Sequence, residues 1–577
     1  MSYLRPGFDP IVIAVIVLGV FSPIVYAGFN SVDDMVLVTF LTNLDSWSLA
    51  DIFFPEHGYY YRPLLSITFY FDRILWDLSP QIMHFENVLL HLVNALLVYA
   101  IVFQVLPKNS NSRRIWAIGA SLLFGCHPIV TESVNLISGR TDLLAGVFIL
   151  LSILFLLRSA RTENKLLLLL SGVFFFVACL AKEVSVFYYP AALALSIASF
   201  THGTGFWRKI ALRQQYLYVF SFTCAGYFLL RYHALKSSDS GVSRLAESIG
   251  GQSESVFDTL RISLKVMGFY TKKLFIPWPL NFGIINVSDY YLVVGVGLVL
   301  LCIVWLLRND LVSAFFLTAT CITSAALLVV LGKAAWTPIA ERYLYIATAP
   351  FVLGSVAWLH QSRNKWFKEK VLAWGGVVLL TVFVVTTGNR NYIWQDNLLL
   401  FEDTVRKSPA FIPAKNQLAD ALIKKGRIEE AQILIAEVYQ KSENKDYSSG
   451  YINQARSLAH DGKLESARAI LVERRDSGET VDPNLYQELV MINFKRLEAT
   501  KEATARRAIY QENLQLLSSY HAMRPGPFNL YRIGKAHLSL GNREKAKEYF
   551  EKAYQQAPET AHYREPARRL AERLGHK

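Results

Sequence analysis

Cysteine is scarce here and badly placed for either of its usual structural uses. The chain has five, Cys126, Cys179, Cys224, Cys302 and Cys321, all in apolar segments, with no CxxC pair and none in the last third. That pattern argues against a disulfide framework and against a zinc site, and no other metal-ligand spacing is evident. Charge is missing from most of the chain. Of the 105 charged side chains (59 basic plus 46 acidic), residues 1–390 hold about 50, near 13% of positions, and residues 391–577 hold about 55, roughly 29%. A soluble enzyme, a disordered chain and a nucleic-acid binder all fit this split poorly. A membrane domain followed by a soluble domain fits it, and the net charge of +13 calls for a membrane explanation first. Matching halves with Gly- or Pro-broken spans, which many transporters show, are absent too.

What is present is a series of apolar runs, each near the ~20 residues a membrane helix needs. They lie near residues 10–28, 82–106, 115–129, 139–157, 165–181, 184–200, 215–232, 289–307, 311–331, 342–360 and 371–388. The first lacks a small-residue cleavage site and reads as a retained span. Short cytoplasmic loops collect Lys and Arg. Lys108/Arg113/Arg114, Arg158/Arg161/Lys165, Arg208/Lys209/Arg213, Arg308 and Arg363/Lys365/Lys368/Lys370 therefore mark the cytoplasmic side. These assignments agree if residues 256–276 do not cross. At 100° per residue Arg261, Lys265 and Lys272 form a basic stripe on an apolar helix, which suits one lying in the interface. With about eleven spans the soluble tail is exported.

The same parity gathers residues 29–81, 127–140, Lys182, 233–288 and 332–341 on the exported side, and there sit the polar residues that a membrane domain carries only with reason. Asp33 and Asp34 follow the first span; adjacent carboxylates can supply a general base, bind a metal, or cap a helix at 34–43. Tyr59-Tyr60-Tyr61-Arg62-Pro63 sets an arginine among aromatics, as an anion grip or an interfacial belt would. His84, Asn87, His91 and Asn94 suit hydrogen bonding between helices. His127, Glu132, Arg140 and Asp142 share one short hairpin, Lys182-Glu183 separates two apolar runs, and Glu341-Arg342-Tyr343-Leu344-Tyr345 opens another. Each pair can be plain packing. Together they suit an anionic lipid phosphate with acid or base chemistry.

From residue 396 the pattern is helical with glycines in short turns. A period of about 34 residues predicts tetratricopeptide repeats. Leu530, Gly534, Gly541, Ala546, Phe550, Ala553 and Pro558 fit that repeat over 527–560. Residues 412–445 fit through Ala419, Gly426, Ala431 and Ile435, residues 448–481 through Ala455, Gly462 and Ala467, and residues 483–522 read as a degenerate pair. Such an array either docks a protein or caps the membrane domain.

The order Val-Asp-Asp, Tyr-Arg-Pro-Leu, His-Pro-x-x-Thr-Glu, Gly-Arg-x-Asp, Lys-Glu, Glu-Arg-x-Leu-Tyr and Arg-Asn-x-x-Trp-x-Asp, followed by the repeats, resembles the transmembrane and tetratricopeptide-repeat O-mannosyltransferases of the GT-C glycosyltransferases. The resemblance implies an all-α fold: a polytopic GT-C membrane domain over 1–390 and an exported tetratricopeptide solenoid over 391–577. It implies transfer of one sugar, mannose or another hexose, from a dolichyl- or undecaprenyl-phosphate carrier to a hydroxyl, on Ser or Thr of a protein docked by the repeats. A lipid or glycan acceptor, or a non-enzymatic scaffold or transporter, is the alternative. By the same resemblance Asp33 or Asp34 is the base; Arg62, Arg140, Lys182, Arg342 and Tyr345 face the carrier phosphate; His127, Glu132, Asp142, Glu183 and Glu341 support them. Beyond membrane lipids and the lipid-linked donor no cofactor is implied, a divalent metal stays open, and nucleic acid is not a partner. The short array and the single sequon, Asn286-Val287-Ser288, point to a prokaryotic relative in a cytoplasmic membrane, with the site facing outward.

Overall fold

The structure, a computed structural model, describes residues 8–34, 37–38, 41, 52–53, 61–107, 112–199, 206–235, 256–331, 337, 339–362, 369–441, 448–477, 482–557, 561 and 563–575. Tyr59, Tyr60, Lys108, Arg363, Lys365, Lys368, Pro558 and most of the helix expected at 34–43 lie outside these residues, and the side chains of Arg208, Lys209 and Arg213 are not described. The chain divides into two compact units, Met1–Asp34 with Leu49–Ser408, and Met35–Ser48 with Pro409–Lys577.

The first unit is helical, with an isolated bridge between Ile284 and Ile339. Its helices are α1 (Asp9–Phe21), α2 (Pro63–Trp76), α3 (Pro80–Val105), α4 (Arg113–Gly125), α5 (Thr131–Asn135), α6 (Arg140–Thr162), α7 (Lys165–Ala181), α8 (Tyr188–Ser199), α9 (Phe206–Leu235), α10 (Val256–Phe275), α11 (Tyr290–Arg308), α12 (Leu311–Ser324), α13 (Ala326–Leu331), α14 (Tyr345–Ser362), α15 (Glu369–Trp394) and α16 (Asn397–Lys407). Each apolar run is helical over most of its described residues. Among the described residues seven helices are long and apolar enough to cross a membrane, or eight if the bent pair Arg113–Gly125 and Pro128–Asn135 is one span. The runs at 165–181 and 184–200 form shorter apolar helices, and 215–232 lies within α9. This is the helix set of a membrane protein.

Small and polar residues set the packing, because lipid supplies little hydrophobic drive between helices. Ser152 and Ser171 each donate to the other's carbonyl (2.9 and 2.8 Å), locking α6 to α7. At the α10–α11 crossing a Cβ on Gly268 or Gly295 would fall 2.0 Å from a carbonyl oxygen of the facing helix, so only glycine allows that approach. The expected strip on α3 is interhelical glue: Asn87 donates to Leu136 O (2.8 Å), His91 meets Tyr345 Oη and Gly125 O (2.9 and 3.0 Å), and Asn94 donates to Leu143 O (3.0 Å).

The first unit runs past residue 390 to Ser408 because the Arg-Asn-x-x-Trp-x-Asp segment ties α15 and α16 to the end of α1. Asn391 donates to Val20 O (2.8 Å), Asn397 to Phe29 O (3.1 Å), and Arg390 pairs with Asp403 (2.6 Å). Asp396 caps α16 through Leu398 N (2.7 Å).

The second unit holds four helix pairs, Ile412–Lys424 with Ile428–Lys441, Ser448–His460 with Leu464–Asp476, Pro483–Ala499 with Ala503–Met523, and Pro527–Ser539 with Arg543–Gln556, then Arg564–Gly575. Gly426, Gly462 and Gly541 turn three of these pairs at φ between 76° and 83°, where a side chain is strained. Gly534 lets the Phe550 ring lie on its helix, since a Cβ there would meet the ring at 2.8 Å. Ala455, Ala467, Leu471, Leu485 and Leu489 carry the stacked core.

Candidate functional site

The turn after α1 is built around Asp34. Its side chain is fully buried and accepts the backbone N–H of Asn30 (3.1 Å), Ile137 (3.4 Å) and Ser138 (3.0 Å), joining the first loop to the α5–α6 connection. Gly139 allows that connection to close, because a Cβ there would lie 2.2 Å from Ser133 O. Burial pushes the Asp34 carboxyl up from 3.8 to about 6, with the three N–H groups pulling the other way. Asp33 is half-buried in the same turn, and its charge acts on Arg342. Two carboxylates that are chemically alike in sequence are thus different in place: Asp34 is spent on backbone, Asp33 is not sealed in.

Arg342 stands opposite on the turn before α14. Its Nη1 donates to Glu132 Oε1 (2.6 Å), while Glu132 Oε2 accepts the N–H of Glu341 (2.9 Å) and of Arg342 itself (3.1 Å). One buried carboxylate therefore fixes both the backbone and the guanidinium, and 15% of the Arg342 side chain reaches the surface.

A second cationic group follows the same hairpin. Asp142, in the first turn of α6, accepts Lys182 Nζ (2.6 Å), and Arg62 forms a two-bond fork on Glu183 (2.8 and 2.6 Å). Arg62 is within electrostatic reach of Lys182, so Arg62, Asp142, Lys182 and Glu183 form one cluster. Burial pulls the Lys182 ammonium down and Asp142 opposes it. Arg62 keeps 20% of its side chain exposed, Lys182 only 8%.

Other expected residues are placed elsewhere. Arg140, at 1% exposure, spends its donors on Asp72 (2.7 Å), Glu86 (2.9 Å), Asn87 Oδ1 (3.0 Å) and Met83 O (3.2 Å), with Phe69 under its guanidinium. Tyr345 is sealed in the interior on His91. His127 Nδ1 accepts Ile129 N–H (3.3 Å), which leaves Nε2–H for Leu274 O (3.2 Å), so it frames the hairpin. Glu341 makes no direct ion pair with any of the four expected cations among the described residues; it pairs with Lys273 (2.7 Å). In the α10 stripe Arg261 and Lys265 both grip Asp289 (2.5 and 2.8 Å), and Lys272 donates to Trp278 O. Among the described residues no three His, Cys, Asp or Glu side chains are grouped to hold a metal.

Sequence reasoning missed Asp72, Glu86 and Lys273. Lys273 left one signal: it lies 100° from the Lys272 stripe, and so turns toward the packed side of an amphipathic helix.

The tetratricopeptide repeat family matches residues 529–560. Protein O-mannosyl-transferase Tmtc1 of Drosophila melanogaster is 24% identical over 484 residues, 68% of this chain and 55% of that protein. Protein O-mannosyl-transferase TMTC3 of Homo sapiens is 33% identical over 129 residues, 22% of this chain and 13% of that protein. Protein O-mannosyl-transferase tmtc2 of Xenopus laevis is 38% identical over 104 residues, 18% of this chain and 12% of that protein. The chain therefore spans about half the length of the Drosophila relative and smaller shares of the others. It has homologues among the TMTC O-mannosyl-transferases and carries a tetratricopeptide repeat.

Proposed function

We propose that the chain is an integral-membrane glycosyltransferase that moves one hexose, mannose by analogy with its relatives, from a polyprenyl-phosphate carrier to a Ser or Thr hydroxyl of a protein held by the repeats. The observation that supports this reading best is that a half-buried carboxylate, Asp33, lies within electrostatic reach of a partly exposed arginine, Arg342. In the reading, Asp33 accepts the proton of the acceptor hydroxyl. The oxygen forms a bond to the anomeric carbon while the bond from that carbon to the phosphate oxygen breaks, and the phosphate leaves with the electron pair. Arg342, positioned by Glu132, neutralises the departing phosphate, and Arg62 adds positive potential from the neighbouring cluster; fixed charges aimed at developing charge are the strongest catalytic device available to a partly dry site. Asp34 holds the turn and touches no reactant.

The test uses membranes containing the full chain and a radiolabelled polyprenyl-phosphate mannose, with label counted in protein. Asp33→Asn is expected to lower transfer by about a hundredfold or more, within the general-base range of about 10²–10⁴. Full transfer by Asp33→Asn would sink the assignment.

A further inference from the structure

Residues 277–283 follow α10 without forming a helix, yet their polar groups are tied at both ends. At one end Lys273 Nζ donates to Pro277 O (3.1 Å), to Pro279 O and to Glu341 Oε1 (2.7 Å), and that same oxygen accepts Asn281 N–H (3.0 Å). Lys273 and Glu341 are each 2% exposed. At the other end Asn281 Nδ2 donates to Ser408 Oγ (2.8 Å), and Lys407 Nζ donates to Leu280 O (2.7 Å) and Asp403 (2.6 Å). Phe282 packs on Trp394 and Phe401.

A buried Lys–Glu pair is a poor device for stability alone, since well-packed apolar side chains of the same volume often do as well or better. What an apolar pair lacks is direction. Glu341 adjoins Arg342, and Glu132 Oε2 receives the N–H of both, so a shift of Glu341 moves the turn that carries the Arg342 guanidinium. We propose that Lys273 is a positioning residue for Arg342: acting through Glu341, it fixes the turn that presents the guanidinium to a phosphate, and residues 277–283 link that turn to Ser408 at the end of the first unit. The proposal rests on the phosphate-binding reading given for Arg342.

The experiment measures binding of dolichyl phosphate, and of uncharged dolichol, to the full chain in nanodiscs. Four proteins are compared: wild type, Arg342→Ala, Lys273→Met/Glu341→Met, and the triple variant. Arg342→Ala and the Met pair should each weaken dolichyl phosphate about tenfold and leave dolichol unchanged, and the triple variant should be no weaker than Arg342→Ala, because residues acting through one group are not additive. Glu341→Gln is the milder alternative should the Met pair fail to fold; it should weaken dolichyl phosphate severalfold and spare dolichol. If Arg342→Ala weakens binding while Glu341→Gln and the Met pair leave it at the wild-type value, Lys273 positions nothing. Equal losses for dolichol, or additive losses in the triple variant, also overturn the proposal by making the pair structural. If Arg342→Ala itself binds dolichyl phosphate as wild type does, the phosphate reading of Arg342 fails, and the positioning role fails with it.

Discussion

The two units use charge in opposite ways. In the first, several cations and carboxylates from distant segments are closed into pairs at low exposure: Arg140 with Asp72 at 1% and 2%, Lys273 with Glu341, Arg390 with Asp403. In the repeats, pairs such as Arg568 with Glu565 and Glu572 ride on helix surfaces, and the core is packed with alanine, leucine, isoleucine and valine. The contrast follows from the surroundings. A buried pair must be complete, because removing one partner strands a charge out of water, whereas an exposed pair is replaced by water at little cost. The first unit therefore uses its buried pairs as fixed connections between distant segments, whereas pairs such as those of Arg568 in the repeats are surface.

The contrast breaks most readily at Arg140. Arg140→Met leaves Asp72 beside Glu86 with no cation between them, and a broken buried pair costs about 3–5 kcal/mol. The full chain in detergent should lose most of its thermal stability, and Arg140→Met/Asp72→Leu should recover part of it. An unchanged midpoint for the single variant would mean that burial does not govern these pairs.

Asp34 sharpens the comparison through pH. Its folded value, about 6, stands above its ordinary 3.8, so between these values the folded protein holds more protons than the unfolded chain. Stability contributed by this group is then present at the acid end of the window and falls as pH rises through 6. The full span amounts to roughly 3 kcal/mol at 1.36 kcal/mol per unit. The thermal midpoint of Asp34→Asn, compared with that of wild type from pH 4 to 7, should shift against wild type as pH rises, because only wild type has this carboxyl to deprotonate. A constant gap across that range would show that Asp34 does not titrate in it.

Much of this architecture is legible in the sequence, and the legible part is local. Apolar runs become helices, and Gly426, Gly462 and Gly541 become turns. What is hidden needs partners brought from far along the chain. Asp33 and Asp34 differ because the chain around residues 137 and 138 buries one of them and brings their N–H groups onto it. Arg140 looks like a phosphate ligand until α2 and α3 deliver Asp72 and Glu86. Tyr345 is likewise claimed by His91 from α3.

On the repeat side the vulnerable point is packing. Gly534→Val sets a branched side chain against Phe550, where even a Cβ would stand 2.8 Å from the ring. Overpacking of that kind costs about 1–3 kcal/mol. Loss of near-ultraviolet aromatic signal at a lower temperature than in wild type would register it, and Gly534→Val with Phe550→Leu should restore part of the loss.

The smallest effect belongs to Arg568. Its guanidinium reaches two carboxylates on its own helix, Glu565 and Glu572, one turn to either side, yet 43% of the side chain is exposed. Water takes over both carboxylates when the arginine is removed, and salt already weakens the attraction. Arg568→Ala should leave the unfolding midpoint within measurement error at physiological ionic strength. A fall as large as that of Arg140→Met would mean that the repeat surface also depends on completed pairs, and the division of labour between the two units would be wrong.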